Sequence, residues 1–277
     1  MNGTIPRWRE SGEGPAGTEG GTARRGVVLL HGLCGDGALW APTLPALRGF
    51  RALAWDMPGY GGSAPAGPAG EPLLGEAGVP ALAAALARLL DAAGLEAADL
   101  VGHSIGGMVA QEFAATWPER VRSLVLYASP PAFGGRSPAF REAFLAARLA
   151  PLEAGLGMAG VAAALLPGLL GEAPHPAALA AALASMAAIP EAGYRAALAA
   201  LVDFDRRADL GRIAVPTLVV FGEADPMAPF PVMHGMAGAI PDARLGIIAN
   251  AGHLAHLERP TEFNAVLREF LVAQGEA

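Results

Sequence analysis

Lysine is missing from this chain of 277 residues, and all 19 of its basic residues are arginine. Alongside the abundance of alanine, this reads as a coding bias rather than a functional mark. Cysteine is reduced to Cys34 alone. One thiol excludes an internal disulfide framework and removes any requirement for an oxidising compartment. Charged residues make up only 16%, with a net charge of -7 and a pI near 5.4. An acidic chain of this kind has no footprint for nucleic acid. Long hydrophobic runs are lacking too: the most apolar stretch, Val161 to Leu170, is interrupted by Pro167 and is too short to span a bilayer. Residues 1–26 hold arginines, glutamates and glycines but no apolar core of a signal peptide. The expectation is a cytoplasmic protein with no membrane partner. No internal repeat is visible.

What is present points to one large α/β domain, since 53% hydrophobic residues over this length supply an ample core. Gly26 to Leu30, Arg51 to Trp55, Ser123 to Tyr127 and Thr217 to Phe221 are short apolar runs. Such runs suit strands buried on both faces of a parallel sheet. Leu245 to Ile248 is a last strand, and Ile5 to Arg9 is a possible first one. Val79 to Ala93 and Glu262 to Val272 carry helical patterns, the latter with Phe263, Val266, Leu267 and Phe270 on one face. Alternating strands and helices predict a mostly parallel sheet flanked by helices. The rhythm breaks over 130–205, which is rich in Ala and Leu, punctuated by proline and without strand signal. This segment is expected to be an inserted helical cap, or lid, over the sheet edge. Residues 26–129 and 206–277 then form the core, and 1–25 a flexible N-terminal segment with the possible first strand. Gly12 to Gly17 spells G-x-G-x-x-G, but no strand feeds into it and Pro15 occupies it, so a dinucleotide site is rejected.

The most informative stretch is Gly102-His103-Ser104-Ile105-Gly106-Gly107. Its G-x-S-x-G lies between an apolar run (Ala98 to Val101) and a helical pattern (Met108 to Ala115), the context of a nucleophile elbow. Glycines allow the tight turn, and the helix N-terminus favours developing negative charge. Ser104 is the candidate nucleophile. A serine needs a base, and among six histidines His253 stands directly after the last strand, at the edge where open α/β sheets place their sites. His256, three residues on, is expected in the first turn of the final helix with a structural role. The His-x-x-His pair lacks a third ligand at metal spacing, so neither metal nor cofactor is expected. The candidate acid is Asp225, in the loop after Thr217 to Phe221, with Glu223 as its rival nearer the strand. The order Ser104, Asp225, His253 is serine, acid, histidine. Backbone amides of Leu33 and Ile105 are candidates for an oxyanion hole. His31 is read as structural, and Cys34 as a small apolar residue bordering the site.

These motifs, with Asp56-Met57-Pro58-Gly59-Tyr60-Gly61-Gly62-Ser63, resemble the α/β-hydrolase superfamily over nearly the whole chain. In detail they are similar to 3-oxoadipate enol-lactonase-like hydrolases, through Ala38-Leu39-Trp40 after His31-Gly32 and Asp209-Leu210 before Ile213-Ala214-Val215-Pro216-Thr217. The resemblance implies an α/β-hydrolase fold with a helical cap, and hydrolysis of a small carboxylic ester or lactone through an acyl-enzyme, without cofactor. Two other activities use the same fold: a cofactor-free perhydrolase or oxygenase, and a slow-turnover ligand receptor. No asparagine follows the His31-Gly32 segment, unlike the meta-cleavage C–C hydrolases, and the serine at the elbow sets the chain apart from haloalkane dehalogenases.

Overall fold

The computed structural model describes residues 4–11, 24–64, 78–133, 137–172 and 174–275. The glycine-rich stretch Gly12 to Gly17, and most of the expected N-terminal loop, lie outside the described residues. Seven strands form a single sheet: β1 (Trp8–Glu10), β2 (Gly26–Leu30), β3 (Arg51–Trp55), β4 (Ala98–His103), β5 (Val121–Tyr127), β6 (Thr217–Gly222) and β7 (Ala243–Ile248). Their spatial order is β1-β3-β2-β4-β5-β6-β7, and all pairings are parallel except that of β1 with β3. The central register sets Leu29 beside Val101 and Val101 beside Val125. β2, β4 and β6 are buried along their whole length, which is why they read as continuous apolar runs. β1 begins three residues later than Ile5, because Pro6 has no N–H to give to a ladder.

Helices α1 (Gly78–Ala92) and α2 (Ile105–Thr116) pack on each other against the sheet. Val79, Leu82, Leu86 and Leu89 form the buried stripe of α1. One strand residue breaks the apolar pattern. Asp99 of β4 is fully buried, yet the Arg25 guanidinium forks onto both its oxygens and Ser123 Oγ donates to it at 2.6 Å. A buried carboxylate survives there only because it is paired and hydrogen-bonded.

Between β5 and β6 the described residues form α3 (Pro138–Glu153), α4 (Gly157–Leu165), α5 (Pro176–Ala187) and α6 (Glu191–Val202), with no strand of the sheet. One isolated antiparallel bridge, Ala132 to Asp205, closes the neck of this insertion. At its base Arg206 donates to Glu112 of α2 and to Asp209. The chain ends with α7 (Phe230–Ala239), α8 (Ala255–Glu258) and α9 (Pro260–Ala273). His256 lies in α8 rather than in the first turn of the last helix. Pro260 holds Arg259 at φ -138° and ψ 61°, outside helical geometry, and starts a new helix. Among the described residues no single helix is long and apolar enough to cross a membrane.

Candidate active site

Ser104 sits where β4 turns into α2, with φ 53° and ψ -120°, a conformation side chains rarely adopt. The turn is held open by what is absent around it. A Cβ on Gly106 would meet the Leu30 carbonyl oxygen at 2.4 Å, and one on Gly102 would meet the Gly106 oxygen at 2.5 Å. The Ser104 N–H donates to Tyr127 O at 2.9 Å, tying the elbow to β5. Its hydroxyl caps no helical N–H, so it is free for other chemistry.

His253 follows β7 through a turn at Asn250, whose φ of 54° suits the short polar side chain. The ring Nδ1 lies 2.8 Å from Asp225 Oδ2, both groups buried. The other oxygen of Asp225 accepts from the Met227 and Ala228 N–H groups at 2.8 and 3.2 Å, so the carboxylate is held at both ends. Glu223 is exposed and turned away, accepting from the Asn250 N–H at 3.2 Å. A carboxylate at Nδ1 keeps the proton there and leaves Nε2 as the basic nitrogen. Ser104 and His253 line the same cavity of about 710 Å³.

The loop after β2 runs hard against the serine: a Cβ on Gly32 would stand 3.2 Å from Ser104 Cβ. Leu33 is the next residue, and Ile105 is the first of α2, where an N–H has no intrahelical acceptor. The two candidate amides thus belong to the residues that follow Gly32 and Ser104 in the chain. His31 locks this loop. Its Nε2 accepts from the Met57 N–H at 2.9 Å, so Nδ1 carries the proton and donates to Gly32 O at 2.8 Å. Asp56 steadies the same corner by accepting from the Gly37 and Gly62 N–H groups. Cys34 is buried beside it, and burial pushes its thiol up to about 12, which leaves it an inert thiol.

Three residues that sequence reasoning passed over hold the His253 loop. His103, the variable residue of G-x-S-x-G, donates from Nε2 to His253 O at 2.9 Å and stacks on Tyr127. Tyr127 OH is 3.1 Å from both His253 O and His256 Nδ1. Burial holds His103 well below the usual imidazole range and His256 down at about 3, the nearby His253 adding to both effects. The third is Glu258, buried, which accepts from the N–H groups of Gly171, Gly252 and Leu254. A glutamate directly after the stretch Leu254-Ala255-His256-Leu257 was its only signal. The cavity wall above Ser104 is largely apolar, with Met108, Phe133, Phe140, Phe144, Leu201 and Val232. Among the described residues no cluster of three or more His, Cys, Asp or Glu side chains could hold a metal ion.

The model of the α/β-hydrolase fold family matches residues 26–260. The chain belongs to this family. It is 34% identical over 260 residues to RutD of Variovorax paradoxus, a proposed carbamate hydrolase, covering 88% of this chain and 91% of that one. It is 31% identical over 263 residues to the pimeloyl-[acyl-carrier protein] methyl ester esterase of Photobacterium profundum, covering 88% and 94%. The solved enol-lactonase of Burkholderia xenovorans superposes with a TM-score of 0.82 at 26% identity, over 96% of each chain. This α/β hydrolase therefore has esterases and an enol-lactonase among its relatives.

Proposed function

We propose that this α/β hydrolase is a serine hydrolase that cleaves a small carboxylic ester or lactone through an acyl-enzyme. The observation that carries the reading is the meeting of a strained elbow serine, Ser104, with the Asp225-paired His253 in one cavity. His253 Nε2 takes the proton of Ser104 Oγ as the oxygen attacks the carbonyl carbon. The carbonyl oxygen becomes an oxyanion, held by the Leu33 and Ile105 N–H groups. His253 then returns the proton to the leaving oxygen as the C–O bond breaks, and Asp225 stabilises the imidazolium between the two steps. Water, deprotonated by the same imidazole, attacks the acyl-enzyme and releases the acid. Helices α3 to α6 act as the lid, and their apolar wall favours a hydrocarbon acyl or ring portion.

The test is turnover of p-nitrophenyl acetate by wild type and Ser104→Ala. The expected loss is on the order of 10⁶-fold, because members of such a unit fail together, with circular dichroism unchanged. Substantial residual turnover in the folded variant would sink the assignment. A wild type that binds small esters without turning them over would mark a receptor instead.

A further inference from the structure

Two arginines reach the cavity above Ser104, and only one has its charge answered. Arg207 forks onto Asp205. Arg148, on α3, has no carboxylate partner among the described residues. Its guanidinium carbon lies 3.4 Å over the Phe144 ring, and Nη2 meets the Met227 sulfur at 3.8 Å. The titratable groups that act on it, Cys34 and Tyr194, cannot serve as counter-ions. Burial pushes the Cys34 thiol up to about 12 and the Tyr194 phenol higher still, so both are neutral. The buried Tyr194 hydroxyl itself has no hydrogen-bond partner among the described residues. The result is a half-buried guanidinium, braced by an aromatic face, in a cavity whose wall is otherwise mostly apolar.

Partial burial makes an unpaired cation costly. Its planar fork of N–H donors matches the two oxygens of a carboxylate. Stacking on Phe144 occupies the face of the guanidinium and leaves at its edge only the Nη2 contact to the Met227 sulfur among the described residues. A single fork and a single positive charge suit a monoanionic carboxylate. The apolar residues that line the same cavity as Arg148 and Ser104, Phe133 and Met108 among them, suit a hydrocarbon spacer.

We propose that Arg148 is the specificity-determining residue of this cavity, binding a carboxylate carried by the ester or lactone away from the bond that Ser104 attacks. This rests on the serine-hydrolase reading above and narrows its substrates to esters or lactones of an acid that retains a free carboxylate. Arg148 orients such a substrate and takes no part in bond making.

The experiment compares matched pairs. Mono-p-nitrophenyl glutarate is set against p-nitrophenyl pentanoate for a carboxylate on the acyl side. For the alcohol side, 4-acetoxybutanoate is set against butyl acetate. In at least one pair the anionic member should be preferred in kcat/KM by roughly ten- to a hundredfold, the range of a charge-assisted contact. In Arg148→Met that ratio should fall to about one or below, and Arg148→Lys should recover part of it. Because the readout is a ratio within one variant, a general loss of folded protein does not mimic it. Absence of anionic preference in both pairs, or a preference that survives Arg148→Met, overturns the proposal while leaving the serine-hydrolase reading intact. If the wild type hydrolyses none of the esters, the serine-hydrolase reading fails, and glutarate binding by calorimetry decides the proposal. Saturable binding lost in Arg148→Met keeps it; no binding, or equal binding by the variant, overturns it.

Discussion

The histidines beneath the candidate site make a quantitative statement about acid stability. His256 is almost wholly buried, with Trp40 at 4.7 Å between ring centroids, His103 at 5.5 Å and Tyr127 OH on its Nδ1. Burial lowers its folded-state value from 6.5 to about 3. The sign follows from which state holds the proton. Below 6.5 the unfolded chain binds a proton on this imidazole and the folded chain refuses it, so stability is full above 6.5 and is lost as pH falls toward 3. Integrating proton binding between about pH 7 and about pH 5 gives a loss of about 2 kcal/mol from His256 alone, roughly thirtyfold in the folding constant. His103 and His31, also lowered by burial, act in the same direction. The variant His256→Gln keeps a polar side chain and removes the titration. Urea unfolding at the two pH values should show the variant less stable near neutrality. Its further loss on acidification should be smaller than that of the wild type by about 2 kcal/mol. Parallel losses in the two proteins would refute the reasoning, since His256 would then titrate alike in both states.

Two further predictions concern the chemistry. Asp225→Asn should cost about 10⁴-fold in ester turnover through the wrong imidazole tautomer, while Glu223→Gln should stay close to wild type; steady-state kinetics on the pair decide it, and a crippled glutamate variant would reverse the assignment. Gly106→Ala would drive a Cβ to 2.4 Å from the Leu30 carbonyl oxygen, where only backbone can yield, so the oxyanion loop and the serine should shift apart. Its turnover should fall by about a hundredfold or more, the scale of one lost oxyanion donor, and wild-type kinetics with a normal melting temperature would show that the turn has slack.

Much of this molecule was determined locally, by side chains acting on their own backbone. Runs such as Val27 to Leu30 and Leu218 to Phe221 declare buried parallel strands because both of their faces need apolar cover. The glycines around Ser104 declare a turn that no Cβ could enter. The distance of Asp225 and Glu223 from the end of β6 was enough to separate a carboxylate that reaches His253 from one that turns back to Asn250. The tertiary structure decided everything that depends on two remote residues meeting. Arg25 finds Asp99 across 74 positions, and Glu258 gathers N–H groups from its own loop and from Gly171, 87 positions away. His103 looks interchangeable in its motif, yet it meets the carbonyl of His253. Arg148 looks like one of many arginines on a helix surface. Phe144, one turn back on α3, braces it locally, but only closure of the chain between β5 and β6 sets it against Met227 and away from every carboxylate among the described residues. Apolar periodicity specifies which face is buried, whereas a buried charge is specified by its partner, and partners are chosen only when the chain has closed.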